Sequence, residues 1–397
     1  MGKRIIVFAL IFMLSFTGGT QKKNGTQDNS AAIDKSPDKS AALRDGGITQ
    51  PLPEPASASH PTAVPLSVPE HPSGGMPGEK PPEEIPVEVL ISFAGDCTIG
   101  TDESFSYVNS FPYRFEKVGG DYSYFFKGVR SVFQNDDLTL VNLETTLTTA
   151  KKKAQKTFRF RGEPSYVNIL TEGGVEMVNI SNNHIYDYLE QGFQETLEVL
   201  SRADVDYSGE GQIAYYEAKG ITIASIGYSW WSTGIKDGLA EDIETARSKA
   251  DIVIVSFHWG KERSYYPNST QITLGRYAVD RGADIVVGHH PHVIQGIDYY
   301  KGKYIVYSLG NFCFGGNRNP ADKDTFIFQN KFLFLDGELS ESQGIIHPCS
   351  LSATNHVNDF QPVLLEGEDG ERVINRILEY SGRLKYGIKR EDVIFGE

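Results

Sequence analysis

Cysteine is scarce in this chain, with three among 397 residues: Cys97, Cys313 and Cys349. The count is odd and no CxxC spacing occurs, which excludes a disulfide framework or a zinc ribbon and leaves buried apolar roles for the thiols. Positive charge is also in deficit. The 38 Lys and Arg stand against 52 Asp and Glu, a formal net charge of −14, and this balance excludes general nucleic-acid binding, which needs a basic face. A comfortable membrane span is missing from the N-terminal region: the apolar run from Ile5 to Phe16 is too short. It follows Lys3 and Arg4 and ends in small residues, the order of an export signal. Residues 1–20 are therefore expected to be a signal peptide or N-terminal anchor, with no following cysteine to carry a bacterial lipid. The protein is expected to be exported, either extracellular or anchored on the outer side of a membrane.

Apolar periodicity is absent from residues 21–86, which are rich in Pro, Ser, Ala, Gly and charge. That composition reads as a disordered or polyproline-like linker. A local exception to the acidic balance is "KKKAQKTFRFRGEP", Lys151 to Pro164. Its plain reading is a solvated hairpin or loop; its functional reading is a basic rim for an anionic substrate, with Lys156, Arg159 and Arg161 meeting phosphate or carboxylate.

From residue 87 onward β-rich apolar runs end in polar clusters and are followed by helical patterns or loops. "VEVLISFAGD" ends at Asp96, "LTLVNLE" at Glu144, "VEMVNISNNH" at Asn183 and His184, "DIVIVSFHWG" near His258, and "DIVVGHHPH" carries His289, His290 and His292. A helix is expected from Leu189 to Ala203, and another from Asn268, where Gln271 completes a capping pattern. Near-continuous apolar strands alternating with helices predict an α/β fold, residues 87–370, with catalytic groups at the carboxyl ends of strands. Residues 371–397 read as a C-terminal helical extension.

Five strands thus deliver Asp, Glu, Asn or His to one end. Each residue alone has a structural reading: Asp96, Asn182, Asn183 and Asn311 as turn formers, His258 as a satisfied core histidine. Together they suit a divalent metal of intermediate softness, Mn, Zn or Fe. If the chain stays extended through His290-Pro291-His292, the i and i+2 rings share a side and His289 points away. His290 and His292 are then the preferred ligands, and His289 a residue that supports the ligands from behind or packs.

The series "GDCTIG", "VNLETTLT", "SNNHIYDYLEQG", "SFHWGKE", "GHHPHVIQ", "YSLGNFCF" and "NDFQPVLLEG", spread over about Val89 to Glu366, resembles the bacterial capsule-synthesis CapA family of poly-γ-glutamate biosynthesis. That family is similar to the calcineurin-like metallophosphoesterases. The resemblance implies a four-layer α/β/β/α sandwich of the metallophosphoesterase type with two divalent metal ions between the sheets. It implies Asp96, Glu144, Asn183, His258, His290 and His292 as metal ligands, Glu144 bridging, and His184 as general acid. Asp187 is a candidate to orient His184, or equally a helix-start residue. Asn311 is a candidate for lining the site. One departure is clear: the phosphoesterase pattern has His two residues after its first Asp, and this sequence has Thr98.

Two functions follow from the resemblance. One is a metal-dependent hydrolase or transferase of capsule or cell-envelope polymer synthesis, acting on an anionic polymer or phosphoester. The other is a non-catalytic polymer-binding or export partner in a capsule synthesis membrane complex. His184 favours the first, and Thr98 favours the second.

Overall fold

The computed structural model describes residues 86–396, so the expected signal and almost all of the linker lie outside the described residues. Two sheets dominate. In the nine-stranded sheet, Val87–Thr98, Leu138–Leu143, Met177–Asn179 and Asp206–Ser208 run parallel in that order. Beyond Val87–Thr98 the sheet is extended by the antiparallel pair Asp324–Leu335 and Glu338–Ser350. In the six-stranded sheet, Ile221–Ser229, Ile252–His258, Ile285–His289 and Lys303–Val306 run parallel, with an antiparallel strand at each edge.

Strand alternation sorts the apolar residues into separate cores. Ile252 and Ile254 join Val89, Ile91 and Phe93 in a core shared by the two sheets. Val253, Val255 and Phe257, on the opposite face, pack with Leu239, Ile243, Leu274 and Ala278 from helices Lys236–Arg247 and Ser269–Arg281. On the outer face of the larger sheet, Ala94, Val141 and Val178 pack with Ile169, Leu170, Phe193 and Leu200 from helices Val167–Gly173 and Leu189–Arg202. Both sheets are thus covered by helices on their outer faces, as runs without a polar alternate require. The capping pattern at Asn268 forms in full: its side chain accepts from the Gln271 amide, and Gln271 accepts from the Asn268 amide.

The C-terminal segment differs from a helical extension. Its helix is Gly367–Ser381, so a boundary at 371 falls inside it, and Val373, Ile377 and Tyr380 enter the core between the sheets. Strand Val393–Phe395 then pairs parallel with Glu338–Ser350. Residues 371–396 are integral to the folded body.

Gly288, just before the three histidines, is fixed by close approach. A Cβ there would lie 2.1 Å from the Tyr307 carbonyl oxygen and 2.5 Å from Trp259 Nε1, which are themselves hydrogen-bonded at 2.9 Å. Gly288→Ala is expected to destabilise by about 1–3 kcal/mol through overpacking. Gly238→Ala, at an exposed position of the Lys236–Arg247 helix with only Tyr228 Oη at 3.8 Å, should leave the melting temperature unchanged or raise it. Thermal melts of the two variants check this; equal Tm values would contradict the packing at Gly288.

Candidate metal centre

The two sheets present opposite halves of one cluster. Asp96 stands near the end of Val87–Thr98, Glu144 directly follows Leu138–Leu143, and Asn183 and His184 lie in the turn after Met177–Asn179. From the other sheet come His258, the last residue of its strand, and His290 and His292, just beyond Ile285–His289.

Their side chains converge on Glu144. Its Oε1 is 3.6 Å from His258 Nε2, 3.9 Å from His292 Nε2 and 4.0 Å from His184 Nε2. His258 Nε2 also sits 2.8 Å from Asn183 Oδ1, and His292 Nδ1 is 3.1 Å from Asp96 Oδ2 and 2.9 Å from Asn311 Oδ1. Among the described residues, two of the three sets whose ligand atoms lie within 4.8 Å of one another draw on Glu144: Glu144 with His258 and His290, and Asp96 with Glu144 and His292. Glu144 belongs to both.

The donor set fits a divalent cation. Glu144 is fully buried, and neither carboxylate oxygen has a hydrogen-bond partner. A buried carboxylate left in that state is costly, and a cation supplies the missing partner.

Electrostatics follow from the same crowding. Burial pushes Glu144 well above the usual carboxylate range, with the charge of His292 acting against it. Burial works against a charge on His292, but Glu144 and the hydrogen bond to Asp96 outweigh it and push the imidazole up to about 10. For Asp96, burial is outweighed by that hydrogen bond and by the His292 and His289 charges, which hold it below its ordinary value. Burial and neighbouring imidazoles depress His258 strongly, and they bring His290 down to about 4.

The histidine run differs from an extended segment. His290 and His292 have φ of 91° and 57°, in the left-handed region. That turn, rather than strand alternation, brings their rings to 5.7 Å between centroids. His289 ends the strand with Nδ1 3.6 Å from Asp96 Oδ1, and it belongs to neither ligand set. Thr98 is fully buried, and its hydroxyl has no partner.

His184 is held by a second network. Its Nδ1 is 2.7 Å from Asp187 Oδ2, and Asp187 also accepts from Lys156 Nζ at 2.7 Å and from the Phe160 amide at 2.5 Å. Lys156 donates to the Asn183 carbonyl oxygen at 2.5 Å, and the Phe160 ring lies 4.3 Å from that of His184. Asp187 therefore orients the imidazole and leaves Nε2 facing Glu144. The helix after it starts at Leu189 with Tyr188 as its N-cap residue. Burial lowers the pKa of His184, with the Asp187 contact opposing.

Among the residues read as a basic rim, Lys156 is thus turned to Asp187. Arg161 donates to the Ala150 carbonyl oxygen and lies over the Tyr188 ring, and Arg159 Nε is 3.8 Å from Asp102. The contacts of both arginines are with the protein's own groups. Asn311 sits at the centre, donating to the His292 carbonyl oxygen as well as facing Nδ1.

Sequence reasoning missed Asn142 and Asn179 behind the cluster. Asn142 donates to Asp96 Oδ1 at 2.8 Å and lies 3.3 Å from His258 Nδ1. Its oxygen accepts from Asn179 and Asn182. Asn182 in turn accepts from the His184 amide. The available signal was an amide inside an otherwise apolar buried strand, a group that must find partners.

Comparison with known proteins adds the following. The chain is 34% identical over 247 residues to the PGA biosynthesis protein CapA of Bacillus subtilis, which takes in 56% of this chain and 62% of the relative. It is 34% identical over 220 residues to the capsule biosynthesis protein CapA of Bacillus anthracis, 48% of this chain and 54% of the relative. The chain therefore spans only a little over half the length of these relatives. Among solved structures, a putative 5'-nucleotidase from Staphylococcus aureus in complex with alpha-ketoglutarate aligns with 74% of this chain and 59% of its own, at 12% identity and a TM-score of 0.37, a likeness too loose to bear on function. The family described as bacterial capsule synthesis protein PGA_cap matches residues 90–316, more than half of the chain and the whole stretch from Asp96 to Asn311, and the chain belongs to that family.

Proposed function

We propose that this protein is an exported, metal-dependent hydrolase or transferase of capsule or poly-γ-glutamate synthesis, acting on an anionic polymer or a phosphoester. The observation that carries the reading is Glu144, buried, without a hydrogen-bond partner and shared by two ligand sets. Two divalent ions, Mn, Zn or Fe by the mixed donor set, are the proposed occupants. Bound there, they supply Lewis acidity toward a phosphoryl or acyl oxygen. The chain's own residues do the rest. Asp96, Glu144 and His292 hold one position; Glu144, Asn183, His258 and His290 hold the other. Asn142 and Asn311 fix the rings and carboxylate from behind. His184, with Nδ1 tied to Asp187, directs Nε2 into the centre, where it can pass a proton to a leaving group. Arg161 would have to leave the Ala150 carbonyl oxygen to contact a substrate, whereas Arg159 has only its 3.8 Å approach to Asp102 to give up.

A second reading is supported by Thr98. The missing imidazole favours a chain that binds the polymer, or hands it to a capsule synthesis complex, without turnover.

Metal analysis of the purified protein tests the centre. His290→Ala is expected to lower bound metal and the metal-dependent rise in Tm together, because a ligand that binds only the native state stabilises it. His289→Ala should cost much less metal. Equal losses in both variants would remove the assignment of His290 over its neighbour.

Export rests on Lys3, Arg4 and the run from Ile5 to Phe16. Fractionation of cells expressing the full chain should place it outside the cytoplasm. Recovery of all the protein in the cytoplasm would refute export.

A further inference from the structure

Beside the cluster stands a carboxylate from another part of the chain. Glu262 lies in the loop after the Ile252–His258 strand, and one of its oxygens is within 4.8 Å of ligand nitrogens of both His290 and His292, which are within the same distance of each other. Its charge is felt by Glu144, His290 and His292 alike.

The loop that presents it is pinned to the histidine turn. Gly260 and Arg263 adopt φ of 86° and 59°, which turn the chain back on itself. The Arg263 amide donates to the Pro291 carbonyl oxygen at 2.8 Å, between the two histidines. Gln295 Nε2 holds the Ser264 carbonyl oxygen at 2.7 Å. Glu262 is therefore carried by an anchored turn, although its own side chain is exposed.

An independent observation points to a ligand at this place. His290 is 7% exposed, and its Nδ1 is buried without any hydrogen-bond partner. A ring nitrogen left without a partner in a buried site is open to a cation.

We infer that Glu262 is a further metal ligand, joining His290 and His292 on the solvent side of the centre. A carboxylate there adds negative charge to the donor set. It therefore favours harder divalent ions such as Mn over an all-nitrogen arrangement. The inference rests on the metal-centre reading above and extends its ligand set.

The test uses the full chain loaded with Mn(II) or Zn(II), with bound metal measured after dialysis and affinity measured by titration. Glu262→Gln removes the charge at an exposed position. It is expected to weaken binding by at least about 10- to 100-fold, the range seen when groups supporting metal ligands are lost. Glu262→His, which restores a donor, should retain metal and shift the visible absorption of the Co(II)-loaded protein. Glu144→Gln, measured in parallel, separates the two claims. If Glu144→Gln loses metal while Glu262→Gln binds with unchanged stoichiometry, affinity and Co(II) spectrum, the ligand role of Glu262 is overturned and the centre stands. If the wild-type chain binds no metal, or Glu144→Gln binds as well as wild type, the centre itself fails and this inference falls with it.

Discussion

Glu144→Gln is expected to deplete both metal positions together and to abolish any metal-dependent activity. The substitution keeps the shape of the side chain but replaces a charged oxygen pair with a neutral amide that has one acceptor. Glu144 is the only residue common to the two ligand sets built around Asp96 and around His258. Loss of a supporting hydrogen-bond partner costs about 10- to 100-fold in metal affinity, and loss of the shared charged ligand should cost more. The fold should survive, because burial already pushes this carboxyl toward its neutral form in the metal-free chain. Added Mn(II) or Zn(II) should therefore raise the Tm of the wild type and leave that of the variant unmoved. A variant that retains full metal and the same metal-dependent Tm rise would refute the bridging role.

His184→Ala should separate chemistry from binding. The ring is oriented by Asp187, itself held by Lys156 and the Phe160 amide, and its free nitrogen is 4.0 Å from Glu144 Oε1. Removal of a general acid typically lowers turnover by about 10² to 10⁴-fold. Metal content should remain near wild type, because His184 lies in neither of the two sets that share Glu144. Substrates with very acidic leaving groups should partly escape the loss, since they depart without protonation. Polymer output from cells carrying the same substitution then decides between the two readings of function. Normal output from a catalytically dead variant would leave polymer handling as the biological role.

Much of this arrangement was legible because strands advertise both their length and their ends. "DIVIVSFH" is apolar on both faces because helices and a second sheet cover it, and its closing histidine stands where the next group must face the cleft. Asp96, Glu144 and His258 could be read the same way. The turn through His290 and His292 could not. Positive φ at a residue other than glycine is set by tertiary contacts, and no local pattern announces it. The Asp324–Leu335 and Glu338–Ser350 hairpin, which forms one side of the larger sheet, also went unread. Lys156 and Glu262 show a further limit. Each looks like a solvated charge in sequence, and only the fold shows that one buttresses Asp187 while the other approaches His290 and His292.

The division of ligands between the sheets has a mechanical consequence. Asp96, Glu144 and Asn183 come from strands of the larger sheet or the segments just after them, whereas His258, His290 and His292 come in the same way from the smaller one. A cation held among them would span the seam like a rivet and resist any motion that parts the sheets. Without it, the shared apolar core and direct polar contacts such as His258 Nε2 to Asn183 Oδ1 oppose that parting, so ambient metal concentration is expected to shift how often the seam breathes.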